Sequence, residues 1–436
     1  MKYFQNVISI AFYDRIVRNA ASLYLLQFAN YLMPFITFPY LVRVLGPYRF
    51  GTVAFAQGLM AFFITLVDYG TGLSATRKIS IQQNDITAVS RTTFNVWGAQ
   101  FLLYIVGLFI LLILATFVPK IRVESGLFFI LYGMVIGNIL LPIWLFQGME
   151  KMTIIPGIYL ITRCLYLMSI FILIHGPDDY ILYGCLISLN SIVAGFLGVI
   201  AAFRIFKLRV VYPTLSSIWS TLREGGMIFF SMICASLYAV GNAFILGMLA
   251  DATSVGYYSA GEKIVKALQG LITPIAQAVY PRSSKLASVS KNETLKWVRL
   301  ILFIMGGFGL MLSVLLFFFT PLIVKIIMGS SYEPSNSVLR ILSPCIFLVA
   351  ISNVFGIQIM LPFKRDKSYT LTLFSAAIIN LVIAILIVPK LKELGMAIAV
   401  LFTETFVALT MFIYLYFKGL NPISLPFLVQ IKNLAK

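Results

Sequence analysis

Charge is scarce in this chain. Asp, Glu, Lys and Arg make up 11% of its 436 residues, against 60% hydrophobic. Soluble domains carry about 25% charged residues, so a water-soluble fold is excluded. Histidine is nearly absent as well. The single one, His175, sits in an HGPDD turn, which leaves no material for a His-based catalytic constellation. The four cysteines (Cys164, Cys185, Cys234 and Cys345) fall in apolar runs without metal or redox spacing and read as small core residues. No metal and no cofactor is expected.

Acidic residues are also few, 15 against 33 basic ones, for a net charge of +18. A nucleic-acid binder would gather that surplus into one patch. Here the basic residues sit mostly in alternate short loops, as the positive-inside rule produces. The loops at one end hold roughly three times the Lys and Arg of the other, which places both termini in the cytoplasm. No nucleic-acid partner is expected; membrane lipids are. The segment Met1 to Arg18 shows no small-residue cleavage site, and its alternation suits a short helix on the membrane surface.

What the chain does have is long apolar runs, each able to cross about 30 Å of hydrocarbon. They are continuous rather than alternating, so the expected fold is an all-α polytopic membrane protein and not a barrel. Twelve spans are expected, near 19–42, 50–71, 94–118, 126–148, 157–175 and 180–203, then 226–249, 256–280, 299–321, 337–361, 369–388 and 394–417. Pro34, Pro39, Pro142, Pro274 and Pro344 are expected to kink their spans.

An internal repeat orders these spans. Gly51 to Arg77 matches Gly256 to Arg282 at an offset of 205 residues, and Arg18 matches Arg223 at the same offset. Gln57 thereby falls on Glu262, and Asp68 on Thr273. Six spans per half is an even number, so the halves are parallel repeats about an axis along the membrane normal. The expected organisation is an N-terminal lobe at 1–203, a cytoplasmic linker at 204–225 and a C-terminal lobe at 226–436, around a central cavity. Within the linker, TLSSIWSTLREGG reads as a short surface helix ending at Gly225 and Gly226.

The eighth span is the anomaly. At 100° per residue, Ser259, Glu262, Lys266, Gln269, Thr273 and Gln277 share an arc of about 80°. Charge at the bilayer centre costs roughly 2.5–3.5 kcal/mol, so this stripe must face protein or a watery lumen. Lys266 and Glu404 lie near mid-membrane, too deep for easy snorkelling. Lys263 sits slightly off the stripe. Asp68, Arg163 and Arg340 lie nearer the span ends, where snorkelling competes with function. Gln27, Asn30, Gln57 and Asn242 add amides, so spans 1, 2, 7 and 8 are expected to enclose a polar, mildly cationic cavity. Such a lumen favours an anionic ligand, for which a desolvated Lys serves as a point charge. Asp68 and Glu404 are candidates for ion coupling.

The stretches YLVRVLGPYRFGTVAFAQ (40–57), VDYGTGLSATRKIS (67–80), PIWLFQGMEKM (142–152) and VGYYSAGEKIVKALQGLITPIAQAVYPRSSK (255–285) resemble the O-antigen flippase family, Wzx. That family is the polysaccharide-transport branch of the multidrug/oligosaccharidyl-lipid/polysaccharide superfamily. The resemblance implies two six-helix lobes working by alternating access, and no enzymatic activity. It implies a cargo of undecaprenyl-pyrophosphate-linked oligosaccharide, moved from the cytoplasmic to the periplasmic leaflet of the bacterial inner membrane. Other polysaccharide-assembly membrane proteins are conceivable partners. Lys263 and Lys266 occupy the motif's basic positions and inherit a headgroup-binding role; for Arg163 and Arg340 the case rests on depth. Two rivals stand beside this reading. One is a cation-coupled multidrug antiporter of the same superfamily. The other is a membrane-embedded glycosyltransferase or polymerase, which would need acids to activate a hydroxyl. The outer-side carboxylates (Glu124, Asp178, Asp179, Asp251, Glu333 and Glu393) are scattered.

Overall fold

A computed structural model describes residues 36–239 and 241–422. The N-terminal surface helix, most of the first span, Gln27, Asn30 and Pro34 lie outside the described residues. Within them the chain is helical throughout, and eight stretches are long and apolar enough to cross a membrane. One of these, Asp366–Phe417, holds two expected spans: Lys392 at φ 49°, ψ −124° breaks it between them. Residues 36–68 carry helical hydrogen bonding, yet Gly46 at φ 67° turns the chain inside the loop expected at 43–49. Phe109, Phe318, Phe319 and Leu386 point outward with more than half their surface open. In a bilayer those faces meet lipid, which is why the spans show little amphipathic contrast. The protein is a multi-pass membrane protein.

Two compact units divide the chain. Phe63–Phe229 belongs to the first, with the described residues up to Leu45; Gly46–Phe62 belongs to the second, with everything from Phe230 onward.

In the first unit, Tyr69 and Gly70 take left-handed conformations and turn the second span into an interfacial helix, Thr71–Ile81. Asp85 then caps Ile86–Phe117, accepting from the Thr87 and Ala88 amides at 2.9 and 3.0 Å. Pro142 breaks the fourth span as expected, between Ser125–Leu140 and Ile143–Gly148. Trp97 donates to the Ile139 carbonyl at 3.1 Å, satisfying part of the opened backbone ladder.

One expectation fails here. Gly225 and Gly226 do not end the linker helix, which runs on unbroken over Leu215–Ala239 into the seventh span. Gly225 serves close approach instead, because a Cβ there would lie 2.4 Å from the Tyr69 carbonyl oxygen.

In the second unit, the seventh span ends in a separate helix, Asn242–Leu249. The eighth is split into Ala252–Gly270 and Thr273–Val289, with Pro274 in the first turn of the latter. Lys291–Ile323 follows, then Ser335–Leu342 and Pro344–Asn353, which opens into a π-helical turn at Val354–Met360. Loops expected on one side meet on one side. Lys392 pairs with Asp251 at 2.9 Å, and the Ser335 hydroxyl donates to the Tyr257 carbonyl at 3.0 Å. At the other end Arg299 donates to the Pro422 carbonyl at 2.7 Å.

The 205-residue repeat is visible in how this unit packs. A Cβ on Gly51 would fall within 1.8 Å of the Ala252 carbonyl oxygen, and one on Gly256 within 2.0 Å of the Pro47 carbonyl oxygen. Adding 205 to 51 and to 47 gives 256 and 252. The two contacts therefore exchange under the repeat offset, as a two-fold relation between equivalent segments requires. Only glycine lets the backbones cross so closely.

Candidate functional site: a polar cavity in the second unit

The helix Ala252–Gly270 opens with an N-cap, since Asp251 accepts from the Ser254 amide at 2.9 Å. Its register then sends Tyr258, Glu262, Lys266 and Gln269 down one side, spaced three and four residues apart. These four line a cavity of about 270 Å³. Asn242 closes it from the seventh span, Ser352 and Asn353 from the tenth, Tyr369 and Asn380 from the eleventh, and Glu404 from the twelfth.

Glu262 anchors the polar wall. One of its oxygens, Oε1, receives the Lys266 ammonium at 3.0 Å and the Tyr258 hydroxyl at 3.1 Å. Tyr258 is fully buried, whereas the Lys266 side chain is 44% exposed and that of Glu262 16%. The cation therefore reaches the cavity while its partner stays in the wall. Gln269 donates to the Cys345 carbonyl at 3.3 Å. On the far side, Asn380 donates to the Thr403 hydroxyl at 3.3 Å, and that hydroxyl donates to the Ala399 carbonyl at 2.7 Å.

Several oxygens in this wall have no hydrogen-bond partner among the described residues: those of Asn242, Asn353 and Asn380, and the Ser352 hydroxyl. Asn242 and Asn380 are 3% and 1% exposed. A buried unpaired acceptor costs about 1–3 kcal/mol, so four in one cavity form a marked departure from ordinary packing.

Of the residues singled out from sequence, the structure brings Asn242, Glu262, Lys266, Gln269 and Glu404 to this one place. Lys263 stands elsewhere, its ammonium 4.6 Å from the centre of the Phe50 ring. Arg163 lies 5.3 Å over the Tyr159 ring one turn back on its own helix, and Arg340 lies 6.0 Å from the Phe317 ring. The Asp68 carboxylate accepts from the Gly72 amide at the turn into Thr71–Ile81. Gln57 is half-buried in the second unit and Ser259 is buried, but neither lines the cavity; Thr273 is exposed at the helix break. This cavity lies within the second unit and is distinct from the lumen expected between spans 1, 2, 7 and 8. Among the described lining residues Lys266 is the one basic group, beside the carboxyls of Glu262 and Glu404. Its walls beyond spans 7 and 8 come from spans 10, 11 and 12.

Sequence reasoning missed Ser352, Asn353, Tyr369 and Asn380. Asn353 and Asn380 carried a signal, since each is an amide inside an otherwise apolar run. Gln358 was missed too. Wholly buried, it accepts from Ser283 at 2.9 Å and donates to the Ala276 carbonyl at 2.9 Å, tying the lower half of the eighth span to the tenth.

A family described as "Polysaccharide biosynthesis protein" matches residues 16–287, more than half of the chain and all four motif stretches quoted above. The chain belongs to this polysaccharide biosynthesis protein family. Among relatives, an Escherichia coli (strain K12) protein named "Putative O-antigen transporter" is 32% identical over 397 residues, covering 91% of this chain and 96% of its own. A Shigella dysenteriae protein of the same name is 29% identical over 404 residues, covering 90% and 98%. In fold, this family member is similar to an inward-facing multidrug resistance MATE family transporter of the MOP superfamily. The TM-score is 0.66 at 14% identity, over 90% of this chain and 99% of that one. A MATE structure in a bent conformation aligns at a TM-score of 0.53 and 12% identity, over 90% and 98%. At such identities the likeness speaks for the fold.

Proposed function

We propose that the protein is a flippase, moving undecaprenyl-pyrophosphate-linked oligosaccharide repeat units from the cytoplasmic to the periplasmic leaflet of the bacterial inner membrane. The family and the names of its relatives support transport of an O-antigen precursor and speak against an enzyme. The observation that carries the reading is the cavity with its Lys266–Glu262 pair, built into a unit that otherwise presents apolar side chains to lipid. Intramembrane charge is expensive and persists where it meets a polar cargo.

In this proposal the lobes are 1–203 and 226–436, joined by a cytoplasmic linker at 204–225, and they alternate access to a shared lumen. Lys266 meets the polar part of the cargo, since among the described lining residues it is the one that offers a cation to the cavity. Lys263, Arg163 and Arg340 act, if at all, outside the cavity described here. Glu404, deep in the wall, is the better placed of the two coupling candidates, because Asp68 spends its carboxylate on a turn. A pyrophosphate carries about two negative charges, and an inside-negative potential favours its outward movement by about 2.3 kcal/mol per charge per 100 mV.

The two carboxyls in the cavity favour one second reading, a cation-coupled multidrug antiporter. Reconstituted proteoliposomes separate the two. A flippase exposes lipid-linked oligosaccharide to an external lectin and leaves cationic dyes in place. Efflux of dye with no movement of the lipid would reverse the assignment.

A further inference from the structure

We propose that the second unit's cavity is a carbohydrate subsite, accepting a single sugar ring of the cargo rather than its pyrophosphate. The inference rests on the flippase reading and assigns the cavity a part of that cargo. It starts from hydrogen-bond polarity. The unpartnered carboxamide oxygens of Asn242, Asn353 and Asn380 are acceptors, the Ser352 hydroxyl can accept or donate, and Glu262 and Glu404 add carboxyls. Phosphate offers acceptors too, so it would leave the three carboxamide oxygens unpaired, and the described lining sets two carboxyls beside one ammonium. A sugar hydroxyl is donor and acceptor at once. A carboxamide is the matching group, with one acceptor oxygen and two N–H donors.

Size and surface agree. A cavity of about 270 Å³ is far more than a bare ion fills and admits a group the size of a sugar ring. The remaining wall is apolar, from Val349, Ile357, Leu373, Val400 and Met411, with the Tyr369 ring among them. Sugar rings carry C–H faces that pack on such surfaces while their edges hydrogen-bond. The π-helical turn that begins directly after Asn353 supplies Ile357 to this wall. Wide turns of this kind recur at functional sites.

The test uses the full-length protein in lipid nanodiscs. Its probes are undecaprenyl pyrophosphate and the same lipid bearing glucose, galactose or N-acetylglucosamine. The unmodified protein should bind at least one glycosylated lipid about tenfold more tightly than the bare one. Ser352→Ala and Asn353→Leu should each cut that margin by about three- to tenfold, the worth of one hydrogen bond, and leave affinity for bare lipid unchanged. Neither should lower thermal stability, because each removes an oxygen that has no hydrogen-bond partner among the described residues. Equal weakening of bare and glycosylated lipid would make this a pyrophosphate site and overturn the inference. So would an unchanged margin, including one in which the variants alter only the sodium dependence of transport. Failure of the unmodified protein to bind any of the lipids would instead bring down the flippase reading itself.

Discussion

Removing one partner of the Glu262–Lys266 pair should not cost the same as removing the other. At 3.0 Å and an effective dielectric near 20, their gross attraction is about 5–6 kcal/mol. Most of that is offset by desolvation, and Lys266, 44% exposed, is further screened by whatever fills the cavity. Glu262→Gln leaves an ammonium that already reaches the cavity, so a loss of about 1 kcal/mol is expected. Lys266→Gln leaves a carboxylate only 16% exposed, with the Tyr258 hydroxyl beside it. The expected loss is about 2–3 kcal/mol, toward the range for breaking a buried pair. The double change should recover about 1–2 kcal/mol relative to the sum of the two. Unfolding in mild detergent measures all three, and strict additivity would refute the pair as a structural unit. Flipping assays on the same proteins address function. A stable but inactive double variant supports contact between Lys266 and cargo, whereas full activity in the double variant reduces Lys266 to a neutraliser of Glu262.

The glycine crossing should respond symmetrically: Gly51→Ala and Gly256→Ala are each expected to destabilise by about 1–3 kcal/mol, and a harmless Gly256→Ala in thermal unfolding would contradict the crossing. The Asp251–Lys392 pair makes a pH prediction. Burial pushes the Asp251 carboxyl up, but the Lys392 ammonium and the Ser254 amide and hydroxyl outweigh it and hold the group below its usual value. A depressed carboxyl stabilises above its unfolded pKa, and that contribution is lost as pH falls through the folded one. Lys392→Ala should therefore lower the melting temperature near neutrality and lose its effect in acid below the usual carboxylate range; an effect that persists there would refute the pairing. Topology is checked with cysteines placed at Asp178, Ser330 and Ser288 in a Cys-free background. The first two should react with an impermeant thiol reagent from outside and the third should not, and the reverse pattern would invert the orientation.

Much of the fold was legible because a bilayer makes few demands and makes them loudly. Span lengths, loop charge and the break at Pro142 follow from hydrocarbon thickness and backbone satisfaction, which one sequence displays directly. The linker helix shows where such reading runs out. Gly225 and Gly226 look like a helix stop, and the Tyr69 carbonyl that makes Gly225 necessary is more than 150 residues away. A glycine needed for conformation and one needed for close approach are written with the same letter. The eighth span was half legible. Glu262, Lys266 and Gln269 of its polar stripe share one cavity, but Ser259 lies outside it, and Pro274 begins a new helix, so Thr273 left the register that the 100° rule assumed.

The cavity was legible only along the helix that carried charge. Glu262 and Lys266 announce themselves, since ionised groups are rare enough in hydrocarbon to demand an account. Asn353 and Asn380 lie in separate spans and carry no charge, and a lone intramembrane amide is most often glue between helices. Their meaning depends on what they fail to touch, which no sequence shows. The repeat offers the missing contrast. At the same offset that exchanges the Gly51 and Gly256 contacts, Lys266 corresponds to Ala61 and Glu262 to Gln57. The duplicated feature is the backbone crossing, and architecture explains it in both copies. The charged pair occurs in one copy alone, facing oxygens from three further spans that have no partner among the described residues, and the crossing itself does not require it. In the proposed function, contact with cargo would account for the asymmetry.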